Sequence, residues 1–288
     1  MPSMDAPPPG EPTRAAAEGG PGAPAAANAI PLRDLGGGVM MPVLGLGVWQ
    51  LAAGRETEQA VQWALEAGYR HIDTATLYRN ERSVGAALRA SGIPREQLFV
   101  TTKWLPVRRG AAAEIGRSLE RLGLDRVDLY LIHWPLPGRT GRGWRALESI
   151  RERGLARAIG VSNYGEHRLA GLLAGARRRP AVDQVHFSPL HHPAALLDYC
   201  RRSGVVLEAY SPLERGRALE HPVIVGIARR LGRSPAQVML RWALQHDVVV
   251  IPKSARRERI RENARIFDFA LSAAEMAALD RLDPRAAA

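Results

Sequence analysis

From Ile30 onward, short apolar runs alternate with longer stretches of helical periodicity. Two short segments flank Gly36-Gly37-Gly38, which predicts a β-hairpin through a glycine turn. The runs after it predict eight strands, at 43–47, 70–73, 98–103, 127–133, 156–160, 181–185, 205–210 and 248–251. Helical patterns fill the intervals at 57–67, 80–90, 111–122, 144–153, 166–176 and 193–203. Two more helical stretches, 222–231 and 235–245, separate the last two strands, the second opened by the cap and first-turn pair Ser234-Pro235. Helices at 258–266 and 272–282 follow the eighth strand. Eight strands, each followed by a helix, predict the α/β class and a (β/α)8 TIM barrel with an N-terminal β-hairpin and two additional helices. A doubly wound sheet is the rival, weakened because no Gly-x-Gly-x-x-Gly follows a strand and no phosphate-loop motif occurs.

Composition trims this picture. Residues 1–29 are rich in Pro, Ala and Gly and carry too few large apolar groups to offset the entropy of ordering, so a disordered leader is expected there and a single barrel domain over 30–288. The net charge of +11 comes mainly from arginines dispersed in pairs, such as Arg108-Arg109, Arg201-Arg202 and Arg229-Arg230. Dispersal favours a solvated surface over a nucleic-acid face. The single cysteine, Cys200, excludes an internal disulfide framework and a Cys-based zinc site. No run of about 18 apolar residues occurs, and the first thirty residues lack a secretory apolar core, so a cytoplasmic location and no membrane partner are expected. Oligomeric state has no readable code; a monomer is the working expectation.

The chemistry lies at the strand ends. The second strand delivers Asp73, with Tyr78 five residues later on the following loop. Alone, such an Asp reads equally as a helix cap and such a Tyr as packing. However, successive strands end on Asp73, Lys103, His133 and Asn163, one every thirty residues, and later strands bring Gln184, Tyr210 and Lys253. Polar groups at one end of successive barrel strands converge on one mouth. Lys103 beside Asp73 predicts a partly buried ion pair, and a cation near Tyr78 predicts a phenol pKa lowered from its usual value of about 10. Such a tyrosine can protonate a developing alkoxide, and His133 could orient the carbonyl or share the proton. This is a constellation for carbonyl reduction with hydride from a cofactor.

The segment 253–259, KSARRER, follows the eighth strand and opens a helix, where the macrodipole disfavours cations and welcomes anions. A phosphate among these side chains accounts for their crowding; a solvated helix face is the alternative. Trp49, Trp104 and Trp134 follow strands one, three and four and are expected to wall an apolar substrate pocket, with core packing as the alternative for each. His186, His191 and His192 follow the sixth strand without an accompanying carboxylate or thiol pattern, so no metal is expected.

In order along the chain, YRHIDTATLYRNE, the Lys of TTK, the His of LIHWP, GVSN, the Gln of VDQV, AYSPL and IPKS with RIREN resemble the aldo-keto reductases, most closely the bacterial branch similar to diketogluconate reductases. The resemblance runs from about Ile30 to Asp283. It implies a catalytic tetrad of Asp73, Tyr78, Lys103 and His133 and NADPH as cofactor. It places Ser162, Asn163 and Gln184 at the nicotinamide carboxamide, Tyr210 against the ring, and Ser211 and Leu213 of AYSPL beside the cofactor. Lys253, Ser254 and Arg259 fall at the 2′-phosphate, with Glu262 and Asn263 near the adenine. Read without it, Ser162-Asn163 serves equally as a helix cap, Gln184 as a buried hydrogen-bond partner and Tyr210 as core packing. Two departures stand out: Trp104-Leu105 where related sequences more often have Leu-Trp, and Arg256-Arg257 where they often have Thr-Pro. The implied activity is NADPH-dependent reduction of small aldehydes or ketones to alcohols, with the proton from Tyr78. The alternatives are an NADPH-binding barrel that senses without useful catalysis, and a nucleic-acid binder. The short loop after Tyr210, SPLERGRALEH, implies an open mouth that tolerates varied carbonyls.

Overall fold

In the computed structural model, which describes residues 30–107, 109–138 and 140–283, the alternating runs become strands of one parallel sheet. The leader expected over 1–29 and the stretch after 283 lie outside the described residues. The hairpin pairs β1 (Leu32–Asp34) with β2 (Met40–Pro42) in antiparallel register. The barrel strands are β3 (Gly45–Gly47), β4 (His71–Asp73), β5 (Phe99–Trp104), β6 (Val127–Ile132), β7 (Ala156–Ser162), β8 (Val182–His186), β9 (Val206–Tyr210) and β10 (Val249–Val250). They lie side by side in chain order, and a parallel bridge between Leu44 and Val250 joins the first to the last. Sequential order with closure rules out the doubly wound alternative, in which the order reverses at a switch point.

Helices alternate with the strands: α1 (Arg55–Glu66), α2 (Glu81–Ala90), α3 (Ala111–Leu122), α4 (Thr140–Glu152), α5 (Glu166–Gly175) and α6 (Ala194–Ser203). The additional pair is α7 (Pro222–Leu231) and α8 (Pro235–Gln245); α9 (Arg257–Ala264) and α10 (Ala273–Asp280) follow β10. Ser234 caps α8, its hydroxyl accepting from the Gln237 N–H while its own N–H donates to the Gln237 side chain, as its position before Pro235 predicts. The first and last barrel strands are shorter than their apolar runs predict. Pro252 lacks the N–H needed to extend β10, although the Ile251 amide still donates to Ala209. Among the described residues, no helix is long and apolar enough to cross a membrane.

Side chains alternate strictly between two cores. Phe99, Leu129, Leu131, Ala158, Val182, Val206 and Val249 point inward, where Val39 and Met41 of the hairpin pack on them and close the lower end. Residues of opposite parity, including Val100, Tyr130, Ile159, Val185 and Leu207, point outward under the helices. Further up, inward positions of β4, β5, β8 and β9 turn polar: His71 and Asp73, Thr101 and Lys103, Gln184, and Glu208 are all buried. Gly45 makes room for this layer, since a Cβ there would lie 2.6 Å from His71 Nδ1. Part of the arginine excess is answered internally: Asp128 binds Arg95 at 2.7 Å and Arg157 at 2.9 Å, tying strand ends at the lower rim.

Because Met41 is fully buried at the plugged end, Met41→Ala is expected to destabilise the barrel by about 2–5 kcal/mol. Its kcat should be unchanged below the transition, because the polar layer lies at the other end. Denaturant unfolding and steady-state kinetics on the same samples check both halves of this expectation.

Candidate active site

The end of β4 and its following turn build the centre of the site. Asp73 closes β4, and a single 3-10 turn, Thr76–Tyr78, brings the phenol back over the strand end. Neither residue caps a helix: the turn is preceded by Ala75, and Asn80 precedes α2. Asn80 accepts from Thr74 at 2.9 Å and donates to the Val48 carbonyl at 2.9 Å, which fixes the loop. On β5, Lys103 is fully buried, and its ammonium donates to Asp73 Oδ1 at 2.5 Å, the Thr74 carbonyl at 3.0 Å and Tyr78 Oη at 3.2 Å. All three ammonium hydrogens are therefore spent.

Electrostatics follow from burial. Desolvation alone would pull the Lys103 ammonium down, but Asp73 and Tyr78 outweigh it and hold the lysine above its usual value. Three acceptors around one nitrogen fit the charged ammonium. Burial pushes the Asp73 carboxyl up, opposed by Lys103 and by the Gln184 hydrogen bond. For Tyr78 the expectation is corrected: burial raises the phenol above 10, outweighing the downward pull of Lys103, because the ring is desolvated and Asp73 offsets part of the cation's field. His133, edge-to-face with Tyr78 at 5.5 Å, is driven by burial and by Lys103 to about 3 and is neutral. Its Nδ1 is buried without a hydrogen-bond partner among the described residues.

Around this centre opens a cavity of about 1180 Å³. Asp73, Tyr78 and His133 lie on its floor, and Lys103 lies beneath it. The floor continues through Ser162, Asn163, Gln184 and Tyr210. Asn163, at φ 64°, is not a helix cap, since α5 is capped by Gly165. Its amide donates to the His133 carbonyl at 3.1 Å and to Ser162 Oγ at 3.0 Å, and its oxygen accepts from Tyr210 at 2.8 Å. Gln184 donates to Asp73 Oδ2 at 2.8 Å and to Glu208 Oε2 at 2.9 Å.

The far end is basic. Ser211, Leu213, Lys253, Ser254, Arg259, Glu262 and Asn263 all line the cavity, joined by Ser234 and Arg256. Glu262 accepts a hydrogen bond from Ser234, which ties α9 to α8. Among the described residues, Arg257 has a carboxylate partner, Glu66 at 2.7 Å, whereas Lys253, Arg256 and Arg259 have none. Uncompensated cations beside the start of α9, where no side chain caps the helix, fit a bound phosphate group.

The substrate end differs from expectation at one residue. Trp49 and Trp134 line the cavity and are exposed, but Trp104 does not line it. Lys103 points inward, so by strand alternation Trp104 points outward, where it is buried against Gly143 of α4 and donates to the Arg109 carbonyl at 2.9 Å. Leu105 takes the cavity wall instead, with Leu77, Val107 and Leu136. The reversed Trp-Leu order thus moves the indole into the helix layer.

Three features were not read from the sequence: the partner of His186, the reach of Arg215 and the place of Glu208. His186 donates to or accepts from Glu214 Oε1 at 2.6 Å, and its ring stacks between His191 at 4.4 Å and Tyr210 at 5.8 Å. The carboxylate absent from its neighbourhood in sequence arrives from the loop after β9. The same loop lays the Arg215 guanidinium over the Trp49 ring at 4.8 Å, so the short rim reaches across the mouth. Glu208 was likewise missed, although a lone carboxylate inside the apolar run VVLEAY was a legible signal.

The family model for the aldo/keto reductase family matches residues 43–284. A glyoxal reductase of Bacillus subtilis (strain 168) is 48% identical over 249 residues, covering 85% of this chain and 90% of that protein. A 9,11-endoperoxide prostaglandin H2 reductase of Trypanosoma cruzi is 46% identical over 251 residues, covering 85% and 89%. Among solved structures, an aldo/keto reductase from Brucella melitensis superposes with a TM-score of 0.85 at 40% identity, covering 88% of this chain and 100% of that one. An aldo-keto reductase from Bombyx mori, solved in complex with NADP, gives 0.82 at 33% identity, covering 88% and 93%. With the barrel, the family model and near-complete matches in agreement, the chain belongs to the aldo/keto reductase family and is an NADP-dependent oxidoreductase.

Proposed function

We propose that this protein reduces small aldehydes and ketones to alcohols, with Tyr78 as the proton donor. The observation that carries this reading is the Lys103 ammonium, whose three hydrogen bonds are spent beneath the cavity floor on Asp73, Thr74 and Tyr78. Because the phenol oxygen accepts from Lys103, its own hydrogen is left to turn into the cavity. A carbonyl oxygen brought there meets a donor, and the ammonium behind the phenol stabilises the negative charge that develops. Burial keeps Tyr78 protonated until that moment. Lys103 then stabilises the phenolate left behind, while neutral His133 offers its ring to the same oxygen.

Bound in this cavity, NADPH supplies the hydride. Ser162, Asn163 and Gln184 would hold its carboxamide and Tyr210 its ring, with Ser211 and Leu213 alongside. Lys253, Ser254 and Arg259 would hold the 2′-phosphate, and Glu262 and Asn263 the adenine. The cations without carboxylate partners support the phosphate end of this assignment. At the substrate end, Trp49, Leu77, Leu105, Val107, Trp134 and Leu136 offer few hydrogen-bonding groups. That wall favours small aldehydes and dicarbonyls over polyhydroxylated keto sugars, and the 48% identity to a relative named as a glyoxal reductase supports it.

Tyr78→Phe is expected to lose turnover by roughly 10²–10⁴-fold while still binding NADPH. An NADPH-oxidation assay over aldehydes, dicarbonyls and keto sugars reads the loss, and a fluorescence titration reads the binding; undiminished turnover would rule the donor out. Arg259→Ala should raise the KM for NADPH roughly 10- to 100-fold, as expected for one lost charge-assisted hydrogen bond, and leave NADH within about twofold. An equal loss for both cofactors would remove Arg259 from the 2′-phosphate.

A further inference from the structure

We propose that Glu208 is a positioning residue that fixes the amide orientation of Gln184, so that Gln184 reads the nicotinamide carboxamide with its carbonyl oxygen. The inference rests on the assignment of Gln184 to the carboxamide. Both hydrogens of the Gln184 amide are committed, one to Asp73 Oδ2 at 2.8 Å and one to Glu208 Oε2 at 2.9 Å. Lys103 at 2.5 Å holds Asp73 as an acceptor, so a flipped amide would set oxygen against oxygen there. Glu208 supplies the second acceptor and stops the amide from rotating about its remaining freedom. Oε1 of Gln184 is then left for a ligand donor on the cavity side, since Gln184 lines the cavity.

Among the described residues, the Glu208 side chain makes no other hydrogen bond. It is fully buried on β9, and its Oε1 has no hydrogen-bond partner, with His71 Nε2 at 3.7 Å. An unpaired carboxyl in a barrel interior is costly unless it does something that an apolar residue could not. The titratable groups facing it are His71 and Asp73 on β4 and Lys103 on β5; β3 and β10 bring none. Burial and the Asp73 charge push its carboxyl up to about 8, so at neutral pH it adds little second negative charge beside Asp73, and the oxygen it turns to Gln184 is the acceptor. A raised folded pKa means that the folded state keeps a proton that the unfolded chain has lost, so this group's contribution to stability falls as pH rises from the ordinary carboxylate range to about 8.

The test compares binding of NADPH with binding of its reduced 3-acetylpyridine analogue, which lacks the carboxamide N–H2, by fluorescence titration of the full chain. Wild type should prefer NADPH by roughly five- to tenfold, the worth of one neutral hydrogen bond. Gln184→Leu should abolish that preference. Glu208→Leu should also abolish it, and Glu208→Asp should abolish it despite keeping the carboxyl, because the shorter side chain cannot reach the amide. Glu208→Gln, which keeps an acceptor in place, should restore it, and should flatten the fall in melting temperature between pH 5 and about 8. Full preference in Glu208→Asp, with none in Gln184→Leu, would overturn the role of Glu208 alone. Full preference in Gln184→Leu would overturn the carboxamide assignment and this inference with it.

Discussion

A lysine without exposed surface keeps its charge only when the protein answers it from within, and Lys103 is answered on every hydrogen. Removing Asp73 would strand that cation at a cost of about 3–5 kcal/mol, so the pair constrains folding as well as chemistry. Pairing of β4 with β5 sets the two residues side by side, with Asp73 opposite Thr101 and Lys103 one inward step further along. The rest of the polar layer grows outward from this contact. Gln184 donates to the second oxygen of Asp73, Ser162 donates to the Gln184 carbonyl at 2.8 Å, and Asn163 joins Ser162 to Tyr210. Each of these side chains bonds to a partner that is itself held.

The barrel affords this because its two halves do different work. Below, inward positions are apolar and the hairpin plugs them, which provides the burial energy of a packed core. Above, β4, β5, β8 and β9 turn polar, with their backbones still held in the sheet. Strand parity decides the role of neighbours: Lys103 reaches the site and Trp104 packs under a helix, although both close one strand.

Loops close the design at the mouth. Ser211, Glu214 and Arg215 all adopt positive φ, which coils the segment after β9 back over the cavity. Glu214 anchors it, accepting from Ser188 at 2.6 Å and sharing a hydrogen bond with His186, which pulls the Glu214 carboxyl down against burial. Since His186 also stacks on Tyr210, the ring expected to face the nicotinamide and the loop over it share one anchor.

The alternation of apolar runs and amphipathic stretches by itself determined the barrel, the hairpin and the extra helix pair, because each strand needs two buried faces and each helix one. Polar residues at strand ends thirty apart also marked where the site lies, since barrel geometry leaves them nowhere else to meet. Only the tertiary structure decided what depends on field and direction. The shift of Tyr78 turns on how much water its ring loses, which no spacing encodes. The outward turn of Trp104 follows from parity counted from Lys103. Glu214 and His186 are 28 residues apart and meet only because the loop after β9 folds back across β8. Glu208 is a lone carboxylate in an apolar strand, and only closure of the barrel sets it against the Gln184 amide.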